Sequence, residues 1–126
     1  KLLGVKIIRE GAFASCRGLT EVEFGDTLET IEQWAFQNCR SLRSITMPSV
    51  KLIGYWAFSN CVKLTNVECG EALETIQESS FYNCIFLRRI IIPLNCVIGD
   101  QVFFTCPQLT TVDLVGGIHR TVASLH

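Results

Sequence analysis

Cysteine is the residue type with the greatest chemical potential in this sequence, which has seven cysteines among 126 residues. No two of them form a C-x-x-C pair, the spacing typical of zinc sites and redox centres. Five recur at intervals of 22 or 23 residues, at Cys16, Cys39, Cys61, Cys84 and Cys106. If equivalent residues of neighbouring copies lie about 4.8 Å apart, as adjacent strands do, their Cβ atoms are poorly placed for a disulfide bridge. We therefore predict that these five thiols are reduced, buried and structural.

Other residues suited to catalysis or metal binding are few. The two histidines, His119 and His126, both lie near the end of the chain. No Ser or Cys stands in a nucleophile motif, and no glycine-rich segment has the pattern of a phosphate-binding loop. We therefore expect neither an enzyme nor a protein with a cofactor or a metal ion.

The composition is that of a globular domain. Hydrophobic residues make up 48% of the chain and charged residues 18%, and the formal net charge is -1. Because a nucleic-acid partner requires a basic excess, we expect no nucleic acid partner. No apolar run reaches the ~20 residues of a membrane-spanning helix, so we expect no membrane insertion. Unpaired cysteines and the lack of an N-x-S/T sequon favour an intracellular chain but do not assign a compartment.

Each of the five cysteines belongs to a longer repeated pattern. An aromatic residue precedes it by three positions, a leucine follows three positions later, and a β-branched residue follows three positions after that. The aromatic column consists of Phe13, Phe36, Phe58, Phe81 and Phe103. Such self-similarity predicts a repeat solenoid, in which each coil buries its apolar residues against its neighbours.

The segment around each leucine, L-x-x-[IV]-x-apolar, ends in the period-two alternation of a short, half-buried strand. Gly25, Pro48, Gly70 and Pro93 end successive strands in alternation, which defines a longer unit of 45 residues. We predict a solenoid of about five coils of 22–23 residues over 1–117, with a curved parallel β-sheet on one side and loops and short turns on the other. Cys69 takes a core position in this scheme. Cys96 takes an outward one and is the candidate for a reactive thiol.

The last residues, 118–126, are predicted to be the start of a truncated C-terminal capping flank. Ile118, Val122 and Leu125 have the spacing of one apolar helical stripe. Because solenoid ends without polar caps expose the core, we expect end-to-end self-association of this chain.

The pattern A-F-x-x-C-x-x-L-x-x-[IV] resembles the BspA-like class of leucine-rich repeats. Its best copies span residues 34–39 (WAFQNC) and 56–61 (WAFSNC), whereas Ser80 and Val102 replace the usual Ala in the last two. The resemblance implies a leucine-rich repeat array whose motif is structural at every position, so it transfers no functional residue. Members of this class occur on bacterial surfaces, where some are associated with adhesion, and in microbial eukaryotes including algae. The closing segment, residues 109–126, resembles the end of the array in the algal members.

The outward positions of the strands are the predicted contact surface, because repeat solenoids usually meet their partners there. Rows of acidic and basic side chains alternate along this face and partly neutralise one another. The predicted protein-binding residues are Glu21, Glu23, Arg43, Thr46, Glu68, Arg88, Arg89 and Asp113. The adjacent Arg88 and Arg89 are expected to be incompletely paired. A second candidate surface is the turn side, which carries Trp34, Tyr55, Trp56 and Tyr82.

Two functions remain open from the sequence. The first is a non-catalytic protein-recognition or scaffold module that presents a solenoid surface to a protein partner. The second is a surface-adhesion or cell-wall segment of a larger secreted protein.

Overall fold

The computed structural model describes residues 4–115 and 119–121, and the predicted fold class is confirmed. The chain is a solenoid of about five turns, and no helix occurs among the described residues. In chain order the strands are β1 (Ile7–Ile8), β2 (Glu21–Glu23), β3 (Thr30–Ile31), β4 (Ser44–Met47), β5 (Leu52–Ile53), β6 (Asn66–Cys69), β7 (Thr75–Ile76), β8 (Arg89–Ile92), β9 (Val97–Ile98), β10 (Thr111–Leu114) and β11 (His119–Thr121).

The long sheet has the strand order β11-β10-β8-β6-β4-β2. Its parallel strands are β2, β4, β6, β8 and β10, one from each of five coils. The register aligns equivalent positions of the repeat, so that Ile45 lies opposite Val67 and Val67 opposite Ile90. These three side chains are buried, and on each strand the residues immediately before and after the buried one point outward. The period-two alternation of the sequence therefore separates a core face from a polar face.

A second sheet, the short ladder, has the order β1-β3-β5-β7-β9 and consists of two-residue parallel strands. It contains the isoleucine that precedes each aromatic residue, such as Ile31, Ile53 and Ile76, all buried. The sequence analysis predicted only loops and short turns on this side of the solenoid. A two-residue strand is too short to display the alternation by which strands are found.

The A-F-x-x-C turns are also bonded from coil to coil. The amide groups of Trp34, Phe36 and Asn38 donate to carbonyls of the next coil at 3.0, 2.8 and 2.9 Å. In each turn two residues four positions apart take left-handed backbone angles, and Trp34 and Asn38 have φ of 63° and 61°. For a residue other than glycine this conformation costs roughly 1 to 2 kcal/mol. The hydrogen bonds that it directs toward the next coil offset that cost.

The aromatic column forms a continuous stack inside the solenoid. The ring centroids of Phe36 and Phe58 lie 5.2 Å apart with planes 4° from parallel, and Phe58 and Phe81 repeat this arrangement at 5.2 Å. All three are fully buried. The last pair, Phe81 and Phe103, is wider at 6.1 Å, in the coil where Val102 replaces Ala.

The cysteine column hydrogen-bonds successive coils. The Sγ of Cys61 donates to the carbonyl of Phe36 at 3.2 Å, and the Sγ of Cys84 donates to that of Phe58 at 3.2 Å. All seven cysteines are free, and every cysteine of the column except Cys16 is buried. Burial raises the pKa of Cys39 to about 11 and that of Cys61 further. These thiols therefore remain protonated near neutral pH and are poor nucleophiles.

Cys96, the candidate for a reactive thiol, does not have the environment that this role needs. Its side chain is partly enclosed, and burial raises its pKa to about 11. Because the thiolate is the reactive form, the raised pKa makes Cys96 a weaker nucleophile near neutral pH, and its role as a reactive or intermolecular thiol stays a prediction.

The end of the long sheet differs from the sequence-based prediction. Residues 119–121 form β11, which pairs antiparallel with β10 through Asp113 opposite His119 and Thr111 opposite Thr121. Residues 119–121 are therefore not helical. The three residues of the predicted apolar stripe, Ile118, Val122 and Leu125, lie outside the described residues. An antiparallel strand covers the edge of β10 that a further parallel coil would otherwise extend.

Replacing Phe58 by alanine should lower the free energy of unfolding by about 3 to 5 kcal/mol, because it removes a fully buried ring with neighbours on both faces. Denaturant unfolding followed by circular dichroism measures this loss. The matched control is Phe86→Ala, which removes a ring that is 46% exposed and should change stability by about 1 kcal/mol or less. Equal losses in the two variants would contradict the stacked-column interpretation.

Alkylation should separate the cysteines by burial. We expect iodoacetamide at mildly alkaline pH to modify Cys16 in the native protein, while Cys61 and Cys84 react only after denaturation. Mass spectrometry of the labelled peptides gives the extent of reaction at each site. A disulfide between any two column cysteines in protein purified without reductant would refute the structural role of this column.

The turn around Phe103, the last A-F-x-x-C turn among the described residues, is where we expect self-association. The amide groups of Gln101, Phe103 and Thr105 occupy the positions that bond to a following coil, and no partner for them occurs in residues 4–115 or 119–121. Beside them lies a hollow of about 480 Å³, which Phe104 also lines. We expect light scattering to show concentration-dependent association that Phe104→Ser weakens and Phe86→Ser does not. A monomer at high concentration would rule this out.

Candidate functional site

The predicted protein-binding residues come together on the outward face of the long sheet. Six of them lie on strands: Glu21 and Glu23 on β2, Thr46 on β4, Glu68 on β6, Arg89 on β8 and Asp113 on β10. Arg43 and Arg88 immediately precede β4 and β8. We call this set the sheet face. The parallel register places its rows side by side, as the repeat pattern predicted.

Arg89 is already paired within the solenoid. Its Nε donates to the Oδ2 of Asp113 at 2.8 Å, and its Nη1 lies 4.0 Å from the Oε1 of Glu68. The expectation that both adjacent arginines would be incompletely paired is therefore wrong for Arg89, whose side chain reaches the acidic residue on each neighbouring row. Exposed pairs of this kind contribute about 0 to 1 kcal/mol, so they neutralise charge more than they stabilise the fold.

Arg43 and Arg88 occupy one column of the sheet face, on either side of Thr65. The amide of Thr65 donates to the carbonyl of Arg43 at 2.8 Å, and the amide of Arg88 donates to the carbonyl of Thr65 at 3.0 Å. Both arginine side chains are exposed, and neither makes an ion pair with another described residue. Because they are two coils apart, the two residues are separated by about 10 Å.

The acidic end of the sheet face contains a shallow polar hollow of about 370 Å³. It is lined by Glu21, Val22, Glu23, Ser44 and Thr46. Thr46 lies opposite Glu23 on one neighbouring strand and opposite Glu68 on the other. The sheet face thus has two carboxylates at its β2 end. Further along it carries the guanidinium groups of Arg43 and Arg88, which make no ion pair within the described residues. The outward positions of β2, β4, β6, β8 and β10 carry no aromatic residue.

Aromatic side chains are concentrated on the turn side. The rings of Trp56 and Tyr82 lie 5.2 Å apart, and those of Tyr82 and Phe104 lie 5.5 Å apart. Trp34 and Tyr55 are also exposed there. The sequence analysis missed Phe104, although it follows the column phenylalanine in its own coil as Tyr82 does in the preceding one.

Within the part of the chain that the structure describes, no group of three or more His, Cys, Asp or Glu side chains could hold a metal ion. The same residues include no apolar helix of membrane-spanning length.

Solved structures with this fold include three that share more than a quarter of the sequence. A leucine-rich cell surface protein from Faecalibacterium prausnitzii has 29% identity and a TM-score of 0.83, covering 90% of this chain and 31% of its own. The T. pallidum leucine-rich repeat protein TpLRR has 29% identity and a TM-score of 0.83, covering 87% and 52%. The pneumococcal vaccine antigen PcpA has 26% identity and a TM-score of 0.79, covering 94% and 32%. This chain thus spans about a third of the length of two of these proteins and about half of the third.

Comparison with curated protein sequences yields no match. A family model described as the BspA type leucine-rich repeat region matches residues 6–122 in six copies, where the repeat pattern predicted about five coils. Both this family and the solved relatives point to a non-enzymatic repeat protein. Since the match extends over nearly the whole chain, the chain belongs to the BspA-type leucine-rich repeat family.

Proposed function

We propose that this chain is a non-catalytic protein-recognition or scaffold module, and that its sheet face contacts a protein partner. The face is regular because the parallel register repeats it from coil to coil, and it combines a polar hollow with free charges. Rigid elements of this kind present side chains at set separations, which lowers the entropic cost of binding.

The observation that carries the proposal is the pair of free guanidinium groups, Arg43 and Arg88. A guanidinium can pair with a carboxylate through two parallel hydrogen bonds, and each of these side chains lacks such a carboxylate among the described residues. Arg89 has its acidic partners already and contributes less to a new contact. The partner should therefore present acidic side chains about 10 Å apart.

Reversing both charges, with Arg43→Glu and Arg88→Glu, should leave the melting temperature nearly unchanged, because exposed charges contribute little to stability. Association with a partner isolated on the wild-type chain should slow about tenfold or more at low salt and lose most of its salt dependence. Surface plasmon resonance at two ionic strengths measures both effects.

The matched control is the double reversal Arg17→Glu and Arg40→Glu, which alters net charge equally at two exposed residues outside the sheet face. If the control slows association as much as the test variant, net charge and not the sheet face determines binding. If neither variant changes it, the partner binds elsewhere.

The second candidate function is a surface-adhesion or cell-wall segment of a larger secreted protein. It is favoured by the Faecalibacterium prausnitzii relative, which is described as a cell surface protein and of which this chain would cover 31%. Antibody labelling of intact cells distinguishes the two functions, because only an exported chain is accessible to the antibody.

A further inference from the structure

Two adjoining hollows lie between the short ladder and the turns, on a different side from the sheet face. The first has a volume of about 340 Å³ and the second about 320 Å³. Tyr55 and Gln77 line both and form the division between them. We call the two hollows together the acidic groove.

A glycine forms part of each hollow. A Cβ on Gly54 would lie 2.8 Å from the backbone nitrogen of Gln33, and a Cβ on Gly99 would lie 2.8 Å from that of Glu78. Such contacts are closer than real Cβ atoms make, so the approach of the preceding coil requires glycine at both positions. The two glycines are 45 residues apart, one long unit of the repeat, which places the hollows about two coils or ~10 Å apart.

Carboxylates line both hollows, and no lysine or arginine does. Glu10 and Glu32 line the first, where Arg9 reaches Glu32 from the rim at 3.5 Å. Glu78 and Asp100 line the second and make no ion pair with another described residue. The groove therefore attracts cations, most strongly at the second hollow.

Tyr55 adds an aromatic surface between these charges. Its side chain is 44% exposed, which leaves part of the ring accessible from either hollow. A lysine or arginine side chain that enters either hollow can pack against this ring, whose π face attracts cations. Tyrosine is also one of the residues that most often anchor protein interfaces. The sheet face has no such anchor on its strands.

We propose that the acidic groove binds an extended basic segment of a protein partner, with two lysine or arginine residues three positions apart. In the polyproline II conformation, residues three apart lie on the same side of the chain and are separated by about 9.3 Å. That separation matches the ~10 Å between the hollows, so one cation enters each hollow while the intervening residues cross Tyr55. The inference goes beyond the sheet-face proposal and does not depend on it.

A second copy of this chain is the competing occupant. Arg43 and Arg88 are likewise two coils apart and exposed, so a second copy carries two cations at the spacing of the hollows. The experiment therefore includes a variant that removes them.

The test is fluorescence anisotropy with a labelled peptide that contains Arg-Pro-Pro-Arg between Gly-Ser flanks, titrated with the full chain. We expect saturable binding that weakens with salt. Tyr55→Ala should weaken it about 2- to 5-fold, as should the double variant Glu78→Gln and Asp100→Asn. Tyr55→Phe, which keeps the ring, should retain wild-type affinity. Thermal melts establish that each variant is folded.

Control variants away from the groove are Phe86→Ala for the aromatic ring and Asp26→Asn with Glu71→Gln for the charges, all at exposed positions. They should leave peptide affinity unchanged. A control peptide with the two arginines adjacent should bind more weakly. Equal binding of the two peptides, or unchanged affinity in Tyr55→Ala, would overturn the proposal.

The Arg43→Glu and Arg88→Glu variant separates the two proposals of partner contact. It should not weaken peptide binding, even where it abolishes association with a partner of the sheet face. If this variant and the groove variants instead both abolish self-association of the chain in sedimentation experiments, a second copy occupies the groove and the basic-peptide proposal is wrong.

Discussion

The stacking of each coil on the next through backbone hydrogen bonds is the interaction on which the rest of this structure depends. It operates on three sides of the coil: in the long sheet, in the short ladder and in the A-F-x-x-C turns. A single coil has no internal sheet, so the amide and carbonyl groups that its own turns leave unpaired are satisfied by the neighbouring coils. This dependence explains why left-handed residues such as Trp34 and Asn38 persist, since their backbone angles direct amide groups toward the following coil.

Successive coils stack at nearly constant spacing, so each residue of a column packs against the equivalent residue of the coils before and after it. Phenylalanine suits its column because flat rings pack well at 5.2 Å, and cysteine suits its own because a small thiol donates to a carbonyl of the preceding coil. The same burial that makes these positions structural raises the pKa of thiols such as Cys39 and Cys61 and removes their reactivity. The residues with the most chemical potential in the sequence are therefore components of the core.

Positions outside the buried columns are not restricted to one residue type by the stack. At these positions residues recur with the longer period of 45 residues. Arg43 and Arg88 are one such unit apart on the sheet face, and Gly54 and Gly99 are one unit apart beside the acidic groove. Each surface thus repeats a feature every two coils, or about 10 Å. A duplicated pair of coils provides paired positions that a single coil could not.

The sequence by itself determined the solenoid, the long sheet and the residues of the core, because a column of identical residues can be satisfied only by stacking. It also identified the sheet face, since outward positions follow directly from period-two alternation. The tertiary structure alone decided which charges there are paired: within the described part of the chain Arg89 has acidic partners and Arg88 has none, a difference that depends on side-chain reach across coils. It also decided the short ladder, the strand at residues 119–121 and the hollows beside Gly54 and Gly99. The short ladder and the hollows arise where segments about one coil apart in sequence approach each other, and the strand at residues 119–121 arises where the chain turns back along β10. No local pattern in the sequence records these approaches.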